Sequence, residues 1–222
     1  MKAFIVYWHP EPQSFNHAMF STACQALTEK NWQVKTSDLH AMQFDPVSSR
    51  ANFQSVKDHD YFKQQIEEMH ATEVNGFSAD IEAELQKLEW CDLMIWQFPM
   101  WWFSMPAMLK GWVDRVFAMG RVYGGGHIYE TGVFKGKRAM LSLTTGGPAE
   151  SYTVDGFNGD IYGILRPIHR GILEFVGFDV LTPHIVHAPV RMSNEQREYE
   201  LTQYQKRLSN ITEESPIEIG RY

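Results

Sequence analysis

The sequence predicts an α/β domain built on a doubly wound, five-stranded parallel sheet. Short apolar runs alternate along the chain with longer segments in which apolar residues recur at helical spacing. Runs that are apolar at nearly every position are typical of parallel strands, because helices cover both faces of such a sheet. The chain has 222 residues, of which 44% are hydrophobic, so a single domain spanning residues 1–222 accounts for it.

The first strand and the loop after it form a possible anion site. Residues 2–8 are nearly all apolar, and two prolines keep residues 10–12 out of a helix. Ser14 is a suitable N-cap for the amphipathic helix that follows. This arrangement of strand, loop and helix N-terminus presents peptide N–H groups to an anion. Residues 32–37 alternate between apolar and polar, which predicts an edge strand.

The third strand leads into the most aromatic segment of the chain, WQFPMWWFSMPAMLKGW at residues 96–112. Aromatic rings at the carboxyl end of a central strand either pack in the core or form a wall for a flat ligand. We expect Trp96 and Trp112 to lie in the core. The segment contains Gln97, two prolines and Lys110, which argues against a membrane span.

The fourth strand, residues 139–143, ends in Thr-Thr-Gly-Gly-Pro, where small residues allow a ligand to approach the backbone. A helix is expected over residues 161–176, with Pro167 predicting a kink or break. Residues 180–187 form the fifth strand, and Pro183 places it at the sheet edge. Buried first, third and fourth strands between two edge strands indicate the flavodoxin-like order 2-1-3-4-5.

Composition excludes several classes of function. The net charge is −7 and the pI is about 5.7, whereas nucleic-acid binding requires phosphate-neutralising basic residues. The first residues, MKAFIVYWHPEP, lack a small-residue cleavage site, so we expect a cytoplasmic protein. Cys24 and Cys91 have no metal-ligand spacing and are expected to be reduced thiols. Neither GxGxxG nor a P-loop motif is present.

Three loops at the carboxyl ends of adjacent central strands together favour a flavin. Residues 9–16 offer a helix N-terminus for phosphate, residues 98–103 offer aromatic surface, and residues 144–147 offer N–H donors with close backbone approach. A flavin requires an anion site for its phosphates, walls for its ring, and donors where negative charge develops on reduction.

The motifs FP-x-x-WF-x-x-PA-x-LKGW at residues 98–112 and TTGG at residues 144–147 are highly specific. With them, the chain resembles the NAD(P)H:quinone oxidoreductases of the DT-diaphorase type, from His9 to about Pro216. Further residues carry the resemblance: Ser14-Phe15-Asn16, Ser37-Asp38-Leu39, Tyr152 and Gly171-Ile172-Leu173.

The resemblance implies a homodimer that binds a flavin, FAD rather than FMN in most relatives, at the subunit interface. By motif match, the residues that would hold the cofactor are His9, Ser14, Phe15, Asn16 and Ala18 at the diphosphate, Pro99, Met100, Trp102 and Phe103 at the ring, and Thr144, Thr145, Gly146, Gly147 and Tyr152 at its polar edge. Arg197 falls at the adenine-side position of the family. The implied substrate pocket receives Tyr123 and Phe175 from the partner, and Trp101 either shapes that pocket or packs. Gly125 stands where an aromatic residue often closes the site, which implies a wider mouth.

The implied reaction is a two-electron, ping-pong transfer of hydride from NAD(P)H to a quinone. Well-known members pair the tyrosine with a histidine to move a proton. Here Tyr152 is kept, but Asn158 stands at the histidine position, and an amide does not titrate. We hypothesise that Tyr152 and water suffice, with Asn158 orienting them.

Alternative functions share the flavin. Small relatives of this family are ancillary subunits of a glutathione-gated potassium-efflux system, which would require a peripheral membrane partner. A one-electron carrier would accumulate a neutral semiquinone on titration. Azo or nitro compounds are further acceptors, because a hydride acceptor need only be flat and electrophilic.

Overall fold

The computed structural model describes residues 1–220 and contains one parallel sheet. Its strands are β1 (Lys2–Tyr7), β2 (Gln33–Asp38), β3 (Leu93–Pro99), β4 (Arg138–Thr145), β5 (Asp179–Val180) and β6 (His184–His187). The order is β2-β1-β3-β4-β5, and β6 also pairs with β4. The predicted flavodoxin-like order is therefore confirmed.

Helices cover both faces of the sheet. They are α1 (Phe15–Glu29), α2 (Gln64–Val74), α3 (Ala79–Trp90), α4 (Ala107–Val116), α5 (Ile161–Ile168) and α6 (Asn194–Ser209). Met19 of α1 and Leu208 of α6 belong to the buried cluster on one face. Leu85 of α3, Leu109 of α4 and Leu165 of α5 belong to the cluster on the other face. This division is the doubly wound arrangement that the apolar strands predicted.

The fifth strand differs from its prediction as one continuous strand. It is split into β5 and β6, both parallel to β4. Leu181 still donates its N–H to the Ala139 carbonyl at 2.8 Å. Pro183 lies in the break and has no N–H to donate. The proline therefore interrupts the strand as well as placing it at the edge.

The helix predicted over residues 161–176 also changes character, as Pro167 suggested. Regular α-helix ends at Ile168 and a π-helix, His169–Glu174, continues it. Proline lacks the N–H that would bond to the carbonyl four residues earlier, so regular bonding fails there.

Two tryptophans anchor the segment that precedes the site. Trp96 and Trp112 are fully buried, with their rings edge to face at a centroid distance of 6.1 Å. Trp112 donates its indole N–H to Glu84 at 2.9 Å. Beside it, a Cβ on Gly111 would lie 2.3 Å from the Pro46 carbonyl oxygen, so only glycine fits. Close packing of α4 thus fixes where β3 ends and the aromatic loop begins.

Candidate active site

A cavity of about 740 Å³ opens where β1, β3 and β4 end. Such volumes are typical of cofactor and substrate sites. Most residues predicted to bind the cofactor line it: His9, Ser14, Phe15, Asn16, Ala18, Pro99, Met100, Thr144, Thr145, Gly146 and Arg197. Trp101, predicted for the substrate pocket, also lines it. The three loops identified in the sequence therefore meet around one space.

The N-terminus of α1 forms one side of the cavity. Ser14 caps the helix, as predicted, by accepting the His17 N–H at its side-chain oxygen at 3.1 Å. The first turn carries no acidic residue. Helix geometry leaves the N–H groups of Phe15 and Asn16 without intrahelical acceptors, and the helix dipole adds positive potential. This side of the cavity is suited to an anion.

His9 borders the same side as a neutral ring. Burial lowers its pKa, while the nearby Glu11 carboxylate and carbonyl act in the opposite direction. Glu11 donates its backbone N–H to His9 Nδ1 at 3.0 Å, which suits an uncharged imidazole. The loop is closed further because Glu11 Oε1 accepts the Gln13 N–H at 2.7 Å. His9 therefore presents Nε2 as its free polar atom.

Asn16 braces the site from within. Its side chain is 4% exposed and donates from Nδ2 to Thr144 Oγ1 at 2.9 Å. Its Oδ1 accepts from Gln97 Nε2 at 2.9 Å. Because both ends of the amide are engaged, Asn16 contributes its backbone, not its side chain, to a ligand in this cavity.

The end of β4 supplies a flat backbone edge. Met100 donates its N–H to the Thr144 carbonyl at 2.8 Å, which holds the β3 and β4 ends together. A Cβ on Gly146 would meet no atom within 4 Å, so the space over this residue is open. A Cβ on Gly147 would lie 3.3 Å from the Tyr152 ring and 3.5 Å from Asn158 Nδ2.

Tyr152 and Asn158, predicted as catalytic residues, therefore share the Gly147 side of this edge. Tyr152 is buried at the end of a 3₁₀ turn, Ala149–Tyr152. Asn158 donates its backbone N–H to the Ser151 carbonyl at 2.7 Å, which holds its loop against that turn. The two side chains lie close enough to Gly147 to act on the same ligand edge, although neither they nor Gly147 line the cavity itself.

The aromatic loop is a tight turn with strained central residues. Trp101 and Ser104 exchange two backbone hydrogen bonds at 3.0 and 2.9 Å. Between them, Trp102 and Phe103 have φ values of +50° and +58°. Turns with two positive φ values normally carry Asn-Gly, because bulky side chains cost of order 1–3 kcal/mol each in this region.

This turn aims its rings outward. Trp102 is 96% exposed and Phe103 is 50% exposed, and neither lines the cavity. Trp101 packs its ring edge against Trp8 at a centroid distance of 4.9 Å. Trp101 therefore packs against Trp8 and also borders this cavity, whereas its place in a substrate pocket stays a prediction. The strained turn holds two large apolar surfaces ready for another molecule to cover.

Tyr123 and Phe175 lie elsewhere, in a second cavity of about 500 Å³. Their rings meet edge to face at 5.9 Å, and Gln65 donates to the Tyr123 hydroxyl at 3.2 Å. Glu68 also lines this cavity, and burial raises its pKa. Gly125 is exposed with φ +60° and lines neither cavity. The residues expected to reach a partner's pocket thus stand apart from this chain's own first cavity.

Sequence reasoning missed much of the wall that comes from α6 and from the 3₁₀ turn before it, Pro189–Arg191. Besides Arg197, this wall comprises Pro189, Val190, Asn194, Glu198 and Leu201. Arg197 donates to the Pro189 carbonyl at 3.0 Å and to Asn194 Oδ1 at 3.3 Å, which fixes its guanidinium at the rim. A capping box of Ser193 and Gln196 begins α6, and the Ser-x-x-Gln spacing is the signal that could have placed this helix start at the site.

Within residues 1–220, no cluster of three side chains is suited to hold a metal ion. Across the same part of the chain, no helix is both long and apolar enough to cross a membrane. Cys24 and Cys91 are free thiols, and burial raises the pKa of Cys24 to about 11 and of Cys91 to about 12.

Comparison with known proteins agrees with this geometry. Residues 1–210 match a family described as having a flavodoxin-like fold. The chain belongs to this family. It is 43% identical over 217 residues to NAD(P)H dehydrogenase (quinone) 1 of Rattus norvegicus, covering 97% of this chain and 79% of the relative.

Two further members share most of their length with the chain. Ribosyldihydronicotinamide dehydrogenase (quinone) of Rattus norvegicus is 42% identical, and the match covers 97% of this chain and 94% of the relative. A crystal structure from Klebsiella pneumoniae, described as a candidate quinone reductase, superimposes with a TM-score of 0.94 at 38% identity, covering 98% and 87% of the two chains. The resemblance to quinone oxidoreductases is therefore confirmed.

Proposed function

We propose that this protein is a flavin-dependent NAD(P)H:quinone oxidoreductase that transfers two electrons as a hydride. One observation carries the proposal: three features meet around one cavity of about 740 Å³. They are the N-terminus of α1, the backbone of Gly146–Gly147 after β4 (the glycine edge), and Pro99 at the end of β3. The relatives named as quinone dehydrogenases support the same reaction.

The residues present fit a flavin at each of its parts. Phe15 and Asn16 offer peptide N–H groups to the phosphates. Above Gly146 the backbone is open to a ring, which a side chain there would displace. Thr144, Thr145, Pro99 and Met100 line the cavity. The two threonines would bring the β4 backbone to the edge of the ring, and Pro99 and Met100 would form an apolar surface under it.

We further propose FAD rather than FMN. The cavity continues past the α1 N-terminus to Arg197 and Asn194, so its walls extend beyond what a single phosphate requires. Among the described residues that line the cavity, Arg197 is the one Arg or Lys. Its charge suits the diphosphate and adenosine end of the longer cofactor.

When bound, a flavin would supply two-electron hydride chemistry between a reduced nicotinamide and an electrophilic acceptor. The chain's contribution is to position these rings, to exclude water, and to stabilise charge at the glycine edge. We assign the last role to Tyr152, with Asn158 orienting it across Gly147.

We propose a homodimer that completes the site. Trp102 and Phe103 expose large apolar surfaces beside the cavity, and Tyr123 and Phe175 stand in the second cavity. In a dimer with a two-fold axis, Trp102 and Phe103 of one copy would pack against Tyr123 and Phe175 of the other, and both pairs of rings would be covered. We expect the dimer to be cytoplasmic, because its two cysteines are free thiols. We do not expect it to bind nucleic acid.

The test is to purify the protein, record its absorption spectrum, and release and weigh the flavin. FAD with quinone reduction by a two-electron stoichiometry supports the proposal, and a protein without flavin overturns it.

NADH, NADPH and dihydronicotinamide riboside should be compared as reductants, because the relatives named for different reductants are almost equally similar. Menadione, an azo dye and a nitroaromatic compound then rank the acceptors. Capture by a membrane potassium-efflux system, with weak quinone turnover, would favour the ancillary role instead.

A further inference from the structure

A histidine that the sequence motifs did not single out stands directly behind the glycine edge. His187 ends β6 and pairs in register with Thr145 of β4. Its Nδ1 lies 2.9 Å from Thr145 Oγ1. Its ring lies over the Tyr152 ring, with centroids 5.6 Å apart and planes inclined by 32°. His187 therefore contacts one wall residue of the cavity and the tyrosine that we assign to catalysis.

The hydroxyl of Thr145 lies between this histidine and the Gly147 carbonyl. Thr145 Oγ1 is also 2.8 Å from the Gly147 carbonyl oxygen. A hydroxyl has only one proton, so it donates either to that carbonyl or to His187 Nδ1. When Nδ1 carries a proton, the imidazole donates to Thr145, and Thr145 donates to Gly147. When Nδ1 is bare, the Thr145 proton can turn to it, and the Gly147 carbonyl loses its donor.

Charges near the ring are few. Thr145 faces it from β4, and Tyr152 and Glu150 face it from the turn Ala149–Tyr152. Burial lowers the pKa of His187, and the Glu150 carboxylate opposes this effect. Burial of this half-buried imidazole therefore favours its neutral form, and the Glu150 carboxylate favours its cation.

We propose that His187 is a positioning residue that binds a proton when negative charge develops at the Gly146–Gly147 edge, acting through Thr145 and Tyr152. This inference rests on the proposed function. It supplies a titratable group to a site in which Asn158, whose amide does not titrate, lies on the Gly147 side. Before the proton binds, the imidazole is neutral and carries one proton, on either Nδ1 or Nε2. After the proton binds, both nitrogens carry a proton and both donate.

The proton balance is simple. A hydride entering from NAD(P)H brings two electrons and one proton, and the site gains one negative charge. His187 then takes one proton from solvent. When the hydride leaves to a quinone, the quinone needs that hydride and one further proton to become a hydroquinone. The imidazole gives up its proton at that stage and returns to neutral.

The experiment measures proton uptake when the flavin of the intact holoenzyme is reduced by a stoichiometric amount of NADH. A pH indicator in weakly buffered solution reports the uptake between pH 6 and 8. His187→Gln keeps a hydrogen-bonding group beside Thr145 but does not titrate, and His187→Phe keeps a ring over Tyr152. We expect both variants to bind flavin and to lose part of the proton uptake seen in the wild type. The matched control, His59→Gln, changes an exposed histidine and should keep it.

Histidine resonances of labelled wild-type protein give a second measurement that needs no variant. The His187 signal should titrate at a higher pH with reduced flavin than with oxidised flavin. Equal proton uptake in all proteins, or a His187 titration that ignores the redox state, overturns the inference. Flavin binding with quinone reduction in those same samples would leave the proposed function standing, whereas absence of flavin would remove both.

Discussion

The side-chain amide of Asn16 joins α1 to the end of β4 by donating to Thr144 Oγ1 at 2.9 Å. The same amide accepts from Gln97 of β3, so one buried group links the ends of three elements around the cavity. A buried amide with both partners made contributes modestly to stability, but its removal leaves other polar atoms buried without partners. Asn16 therefore sets the distance between the anion side and the glycine edge.

Replacing Asn16 by alanine should weaken both the fold and the site. Thr144 and Gln97 would lose their partner, which costs about 1–3 kcal/mol in free energy of unfolding. Flavin affinity should fall as well, because α1 would no longer be held to β4. Urea unfolding of flavin-free protein and fluorescence titration with FAD measure the two effects. Gln86→Ala, an exposed amide on α3, is the control and should change neither. An unchanged free energy of unfolding in Asn16→Ala would show that the Asn16 amide does not hold α1, β3 and β4 together.

Relieving the strain in the Trp101–Ser104 turn should raise the free energy of unfolding, whereas Asn16→Ala should lower it. Replacing Trp102-Phe103 by Asn-Gly supplies residues that accept two positive φ values. We expect the flavin-free protein to gain about 1–3 kcal/mol in free energy of unfolding as strain is relieved. Quinone reduction should drop, because the exposed rings are lost.

Urea unfolding at several protein concentrations separates strain in the chain from effects on a dimer. Tyr61→Ala removes an exposed aromatic ring outside the turn and serves as the control. A less stable flavin-free monomer with Asn-Gly would show that the turn is not strained.

Sequence motifs located the cavity because its walls are built from local signals. A serine N-cap before an amphipathic helix and a glycine pair after a buried strand each have a direct backbone consequence. The sheet order followed from which strands are apolar on both faces. These features depend on neighbours in the chain, so composition and spacing reveal them.

Contacts between distant residues were not accessible in this way. Asn16 and Thr144 are 128 positions apart, and nothing in either residue type announces their pairing. His187 reads as an ordinary strand-end residue until the fold brings it against Thr145 and Tyr152. Propensity also gives no sign that Trp102 takes a left-handed conformation, since the turn closed by the Trp101–Ser104 hydrogen bonds imposes it against the residue's own preference.

Gly146 offers a clean test of ligand space. A Cβ there meets no atom of the protein within 4 Å, so Gly146→Ala should leave the free energy of unfolding of flavin-free protein unchanged or raised by up to about 1 kcal/mol. Flavin affinity should fall at least about tenfold, a loss of about 1.4 kcal/mol, because the methyl group occupies space that the ring requires. Calorimetric titration with FAD measures this. Full affinity in the alanine variant would place the ring elsewhere.

Stability should fall in mild acid because of two histidines, His169, which is buried, and His184, which is half-buried. Burial lowers the pKa of His169 to about 4, and burial with the Arg207 charge lowers that of His184 to about 4. An unfolded histidine has a pKa near 6.5, so between these values the unfolded chain binds more protons. Stability is therefore complete above about pH 6.5 and is lost as pH falls, by about 2 kcal/mol for each histidine at pH 5.

Urea unfolding at pH 7 and pH 5 measures this dependence of the free energy of unfolding on pH, which we call the slope. His184→Phe keeps a ring stacked on Tyr204, where the centroids are 4.2 Å apart, and should reduce the loss in acid. His59→Gln alters an exposed histidine and should retain the full slope. A slope that His184→Phe does not reduce would show that His184 is not titrating as its burial requires.

Tyr152→Phe tests the residue that we assign to the reaction. The change removes a hydroxyl whose oxygen would lie 3.5 Å from a Cβ on Gly147, and leaves the ring against His187. The rate of flavin reduction by NAD(P)H, followed by stopped flow, should fall at least about tenfold, since positioned proton donors contribute about 10²–10⁴ in rate. Tyr162→Phe, which removes an exposed hydroxyl, should leave the rate unchanged. Asn158→His should keep activity and move its pH profile, because it returns a titratable ring to the Gly147 side. A Tyr152→Phe enzyme that reduces its flavin at the wild-type rate would remove Tyr152 from the mechanism, and His187 would then have to act through Thr145 alone.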